Sequence, residues 1–245
     1  MNKLIECVPN FSEGRDLDKI NSIVDVMRNV DQVTILDVDS GIDTNRTVVT
    51  MVGSPNSISE SIFRGIKLAS EILDMSNHVG THPRMGATDV CPFIPISGVS
   101  NEECIKISKE VGKRVGEELN IPVFLYEKSA KSLNREKLPD IRKGEYEGLS
   151  DKLNHPDWKP DFGPRKVHIR AGATAMGCRG FLIAYNINLN TRDARLATDI
   201  AFELREAGRS KRTPNGLSKN LLDGDIVSYE DGKPVKVPGL FKDVK

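Results

Sequence analysis

The chain has 245 residues, 38% of them hydrophobic, and 35 Lys plus Arg against 35 Asp plus Glu. That apolar content fills one large domain or two small ones, and the balanced charge excludes recognition of nucleic acid or an acidic membrane by bulk electrostatics. Cys7, Cys91, Cys104 and Cys178 form no CxxC pair, and no segment reaches the length of a membrane span, a pattern that argues against a zinc knuckle or disulfide framework and points to a reducing cytoplasm.

Residues 4–9 read as a short strand. Asp16 is placed to cap a helix running to residue 30, with Ile20, Ile23, Val24, Met27 and Val30 at helical spacing. Residues 33–38 and 47–52 are β-branched runs around a turn rich in Asp, Gly and Asn, which predicts a hairpin. A helix starting at Ser57 or Ser59 places Ile58, Ile62, Ile66, Leu68, Ile72 and Leu73 on its buried side, and a strand over 90–96 follows. The resulting order, βαββαβ, is that of a ferredoxin-like α+β unit with an antiparallel sheet and helices on one face.

A helix over 101–119 and a strand over 122–126 extend this unit. Residues 128–164 are charged and rich in proline, and read as a connecting region with one short helical pattern near 138–149. Residues 181–188 read as a strand, and 191–207 as a helix with Leu196, Ile200, Ala201 and Leu204 inward. These begin a second, incomplete α/β subdomain, followed by a small hairpin of 226–229 and 234–237 around Asp231 and Gly232. The domain division is therefore 1–180 and 181–245.

Chemistry concentrates in few places. Residues 76–95 carry two of the four histidines in backbone that Gly80, Pro83 and Gly86 keep from being helical. His78 and His82 have the spacing of a helical zinc pair, but they lack the glutamate of HExxH and any third ligand at suitable spacing, so a metal site is set aside. His82 is the candidate general base, since an imidazole with a pKa of about 6.5 exchanges protons near neutrality. A histidine that merely bonds its own loop is the other reading, and both stand. Asp37, Asp39 and Asp43 surround the hairpin turn with Arg46. A carboxylate there suits a cationic substrate group; ordinary turn chemistry is the other reading, and it weighs more for Asp43 than for Asp39. The amides following Asn10 are open either to a ligand carboxylate or to helix capping. Residues 161–180 combine four glycines with Arg165, Lys166, His168, Arg170 and Arg179, which suits either close approach of an extended ligand or a flexible turn with solvated charges.

Six blocks in order, CVPNFSEG (7–14), LDVDSGIDTNRTV (36–48), HPRMGATDVCPFIP (82–95), DFGP (161–164), GATAMG (172–177) and FLIAYNINL (181–189), resemble glutamate formiminotransferases. The resemblance runs over about residues 4–208. It implies transfer of the formimino group from N-formimino-L-glutamate to N5 of tetrahydrofolate in histidine degradation, with tetrahydrofolate as co-substrate and no metal. It implies that His82 is catalytic and that folate is bound by Gly163, Pro164, Arg165, Lys166, Val167, His168, Ile169, Arg170, Ala171 and Gly172. Arg46 and Arg84 are candidate clamps for substrate carboxylates, with Asp39 orienting the amidine. The family implies a homodimer, with no nucleic acid or membrane partner. Its members continue into a second βαββαβ subdomain, so this chain is expected to be a fragment or truncated product. A formyl transferase using formylglutamate, and an inactive or partner-dependent folate-binding subunit, are the alternatives.

Overall fold

The computed structural model describes residues 3–182, 189–204, 226–230 and 233–237, in two compact units of residues 1–182 and 183–245. The first unit opens with β1 (Leu4–Cys7) and β2 (Asn10–Phe11), one strand path broken at Val8 and Pro9. Proline has no N–H for a ladder, yet the break stays bonded. Val8 N–H donates to the Pro92 carbonyl at 3.3 Å, and the Pro9 carbonyl accepts from Val49 N–H at 3.0 Å.

α1 (Leu17–Arg28) is capped by Asp16, whose carboxylate accepts from Lys19 N–H at 3.2 Å. β3 (Val33–Gly41) and β4 (Arg46–Gly53) form the expected hairpin, with both strands longer than the β-branched runs. α2 (Pro55–Ile72) starts before either serine proposed for it, because Ser54 supplies the cap and Pro55 takes the first turn, where its missing N–H costs nothing. β5 (Thr88–Ser97) leads to α3 (Asn101–Glu118), which begins in a reciprocal capping box of Ser100 and Glu103. β6 is Val123–Leu125.

Two regions depart from expectation. Residues 128–164 are a packed layer rather than a connection, with α4 (Leu138–Arg142), α5 (Leu149–Asn154) and short 3-10 turns. Its apolar anchors are sparse among charges and prolines, and the one short helical pattern expected near 138–149 begins at α4 and ends where α5 starts. The second departure is β7 (Thr174–Cys178), fully buried and paired in parallel with both β5 and β6. Its TAMGC sequence has neither alternation nor β-branched enrichment, and a strand buried on both faces needs no alternation.

The sheet therefore runs β3-β4-β1/β2-β5-β7-β6, antiparallel from β3 to β5 and parallel from β5 to β6. Helices α1, α2 and α3 cover one face, where Ile23, Met27, Ile58, Ile62, Ile66 and Val115 join Ile5, Met51 and Phe93 in one core. Each such side chain contributes about 1.5–3 kcal/mol relative to exposure. On the opposite face Ile141, Leu149 and Leu153 of the second layer pack with Val90, Phe124 and Ala175, and Trp158 meets Phe124 edge-on at 6.2 Å. Over β3 and β4 that face is open, with Asp37 and Asp39 exposed and Val48 and Thr50 half-buried. All four cysteines are buried and free, Cys7 and Cys91 having their sulfurs 3.5 Å apart.

In the second unit, α6 (Ala194–Leu204) precedes an antiparallel pair, β8 (Ile226–Glu230) and β9 (Lys233–Val237). Leu196 and Leu204, expected to face inward, are exposed. Periodicity identifies the apolar side of a helix, not what covers it. The strand expected over 181–188 lies mostly outside the described residues, and Phe181 and Leu182 are in no strand. No described helix is long and apolar enough to cross a membrane.

Candidate active site

The site lies where the covered part of the second sheet face gives way to the open part. The histidine loop between α2 and β5 is held there from several sides. Asn45, at the hairpin turn with φ of 48°, accepts from Gly14 N–H on Oδ1 at 3.0 Å and donates from Nδ2 to the Val79 carbonyl at 3.0 Å. Asparagine visits that left-handed region more readily than a branched residue. His78 donates from Nε2 to the Asn45 carbonyl at 2.9 Å and accepts from Arg84 Nε on Nδ1 at 3.1 Å, so both its ring nitrogens are used inside the loop.

Arg84 is buried and all its donors are engaged. Besides His78 Nδ1, it donates to the His78 carbonyl, to Glu145 and twice to Glu147, at 2.7–3.0 Å. The guanidinium's hydrogen bonds hold the Glu147 carboxyl down at about 2. In this arrangement Arg84 has no N–H left for a substrate carboxylate. The amides after Asn10 are also occupied, since one Glu13 oxygen accepts from Gly14, Arg15 and Asp16 N–H at 2.9–3.1 Å. The chain's own carboxylate thus sits where a ligand's was considered.

His82 is half-buried and differs from His78 in having a nitrogen to spare. Its Nδ1 is 2.7 Å from the Pro83 carbonyl, which only accepts, so the proton sits on Nδ1 and Nε2 carries the lone pair of the neutral ring. No described residue bonds Nε2. Burial first, then the charges of Arg46 and Arg142, lower the imidazole pKa from its ordinary value, against the opposing influence of the Pro83 carbonyl and Asp89. The ring is accordingly uncharged at neutral pH and able to take a proton. Together with Pro83, Pro139, Arg142, Lys143, Gly144 and Glu145 it lines a groove of about 360 Å³.

Arg46 and Asp39 share the open sheet face, because Asp39 pairs with Val48, two residues along β4 from Arg46. Arg46 donates through Nη2 to Asn10 Oδ1, but its buried Nε has no partner among the described residues. Burial, then the like charge of Arg142, lowers its pKa, with Asp89 and Asp39 working the other way. Asp39 is exposed. The pair therefore offers one cation and one anion on a common surface.

The 163–172 segment closes on itself through Gly172 N–H to the His168 carbonyl at 2.6 Å and Ala171 N–H to His168 Nδ1 at 3.0 Å. Backbone bonds then clasp it to the histidine loop: Ala87 N–H to the Ala171 carbonyl at 2.9 Å, and Ala173 N–H to the Met85 carbonyl at 3.1 Å. Gly86 bridges Gly172 between them. A Cβ at Gly86 would lie 2.0 Å from the Ala173 oxygen, and one at Gly172, whose φ is +64°, would lie 2.1 Å from the Met85 oxygen. Arg165 and Arg170 turn toward protein carbonyls, those of Asn154 and Glu71, at 2.7 and 2.9 Å. Gly163 sits against the Ile121 carbonyl, and Pro164 and Val167 are half-buried. Lys166 and Ile169 are exposed, leaving a cation and an apolar side chain to meet a ligand.

Among the described residues no group of three His, Cys, Asp or Glu side chains is placed to hold a metal ion. Two residues of this site, Asp89 and Arg142, escaped the sequence reading. The available signal was a lone aspartate beside the apolar run that starts at Val90; the arginine that answers it comes from the layer read as a connection.

Residues 4–179 match the model of the formiminotransferase domain, N-terminal subdomain. The chain is 52% identical over 218 residues to a formimidoyltransferase-cyclodeaminase of Dictyostelium discoideum, covering 89% of this chain and 40% of that protein. It is 48% identical to a glutamate formimidoyltransferase of Streptococcus pyogenes serotype M1, covering 93% of this chain and 76% of the relative. A glutamate formimidoyltransferase of Thermoplasma acidophilum is also 48% identical, with 91% and 74% covered. The chain belongs to the formiminotransferase family. It spans 40% of the length of the two-activity relative and about three quarters of the single-activity ones.

Proposed function

We propose that this protein transfers the formimino group of N-formimino-L-glutamate to N5 of tetrahydrofolate, giving 5-formiminotetrahydrofolate and glutamate, as a step of histidine degradation. The observation that carries the reading is His82, with Nε2 unbonded in a groove, clasped through its loop to the 163–172 segment. Tetrahydrofolate supplies the nucleophilic N5. As the new C–N bond forms, His82 Nε2 accepts the N5 proton, and it returns that proton to the glutamate nitrogen as the old C–N bond breaks. The donor carries one amidine cation and two carboxylates. Asp39 orients the amidine and the Arg46 guanidinium receives a carboxylate, while Arg84, whose donors are all engaged, serves to hold the loop. The 163–172 segment is the folate surface, with Lys166 and Ile169 the side chains free to contact it.

We also read the antiparallel part of the sheet as the ferredoxin-like unit, supported by its order β3-β4-β1/β2-β5, and the subdomain boundary as lying near residue 180, supported by the family match ending at 179. A homodimer rests on the family resemblance, and a cytoplasmic location on the cysteine pattern. The test is incubation of the chain with formiminoglutamate and tetrahydrofolate, acidification, and measurement of methenyltetrahydrofolate absorbance, with formylglutamate as rival donor. Replacing His82 by Ala should lower turnover roughly 100- to 10,000-fold while folate binding persists. Turnover retained in that variant, or a preference for formylglutamate, would overturn the assignment.

A further inference from the structure

Asp89 is 1% exposed, a setting that a carboxylate tolerates only when its oxygens are bonded. Oδ1 accepts from Met85 N–H at 2.8 Å, in the histidine loop, and Oδ2 accepts from Arg142 Nε at 2.8 Å and from Nη2 as well. Arg142, thus oriented at the end of α4, forms part of the groove wall that includes His82. One carboxylate therefore ties the backbone of the loop to a guanidinium from the second layer.

We propose that Arg142, anchored by Asp89, is a positioning residue for His82: it holds a permanent cation against the imidazole across the groove and fixes both the setting of the ring and its charge state. The inference rests on the reading of His82 as the proton-transfer group. Charged groups reach His82 from several elements: Arg46 from β4, Asp89 from β5, Arg142 from α4, and Lys143 and Glu145 from the turn beyond it. Arg46 is shared with Asn10 and, in the proposed reaction, with a substrate carboxylate; Arg142 stays committed to Asp89. An arginine does not titrate in the working range, so its influence is constant. Before reaction it keeps Nε2 unprotonated. Once the ring holds the N5 proton, crowding by Arg46 and Arg142 favours passing that proton to the departing nitrogen.

The test reads His82 directly, without substrate, by following histidine imidazole resonances of the full chain against pH, with His82→Gln used to assign the signal. Arg142→Gln should raise the His82 midpoint by roughly 0.5–1 unit, and Arg142→Lys, which keeps the charge, should restore most of the difference. Should Arg142→Gln leave the buried Asp89 carboxylate unpaired and prevent folding, the neutral pair Asp89→Asn/Arg142→Gln removes both charges, and an upward, smaller shift is expected. An unmoved midpoint in the folded neutral variants, or a shift in Arg142→Lys as large as in Arg142→Gln, overturns the proposal. An inactive wild-type chain whose His82 midpoint responds as described would instead overturn the catalytic reading and leave the positioning intact.

Discussion

An arginine two residues after a histidine and another directly after a turn read alike in a sequence, and the fold separates them by what surrounds their donors. Arg84 is enclosed by His78, Glu145 and Glu147, while Arg46 has one neutral partner and a buried Nε without one. Residue type was legible; occupancy of the donors was not, because Glu145 and Glu147 arrive from the layer taken for a connection. The Arg84 cluster carries a pH signature. The Glu147 carboxyl, at about 2, lies below the ordinary glutamate value of about 4.3, so its contribution to stability is full above that value and is lost as pH falls through it toward 2. Because Glu147 is largely exposed, Glu147→Gln should cost about 1 kcal/mol or less at pH 7. Urea melts of variant and wild type should converge near about pH 2; a gap of constant size would show that the ion pair is not its source. His82 acts in the same sense: its lowered pKa means that protonation opposes folding, and the loss sets in as pH drops below the ordinary histidine range.

At the scale of elements, the hairpin strands were legible from their β-branched runs, and three helix starts were marked by Asp16, Ser54 and Ser100, although the second was placed too late. β7 was not legible, and of the 128–164 layer only the helical pattern near 138–149 was. A five-residue strand buried on both faces looks like a glycine-rich turn, and a layer of short helices has too few turns to show a period. Both have measurable consequences. Leu153 is fully buried in α5, so Leu153→Ala should destabilise the protein by about 2–5 kcal/mol in urea unfolding; a change under about 0.5 kcal/mol, the size typical of surface sites, would return the layer to the status of a surface connection. Gly172→Ala meets both left-handed backbone and the Met85 carbonyl. A loss of about 2–4 kcal/mol by thermal unfolding is expected, from conformational strain plus steric displacement, together with weakened folate binding; wild-type stability and affinity would mean that the clasp is not as tight as drawn.

At the scale of the whole molecule, the antiparallel and parallel portions of one sheet divide the work. The antiparallel portion brings Arg46 and Asp39 on β4 and β3, and the parallel portion brings the 163–172 segment through β7 to the histidine loop. The two segments singled out by their motifs meet through backbone bonds, and the Asp89–Arg142 pair joins the layers around them. That pair was invisible to local pattern because its members belong to different layers. The placement of β7 between β5 and β6 has a kinetic corollary. β1 already pairs with β5 across a long stretch of chain, and β7 must in turn slot between two strands already synthesised, closing long loops to both before any contact rewards it. A nascent chain can therefore assemble its helices and hairpin before the 163–172 segment is clasped to the histidine loop. The joining of the two motif-bearing segments thus waits on the insertion of one short, featureless strand.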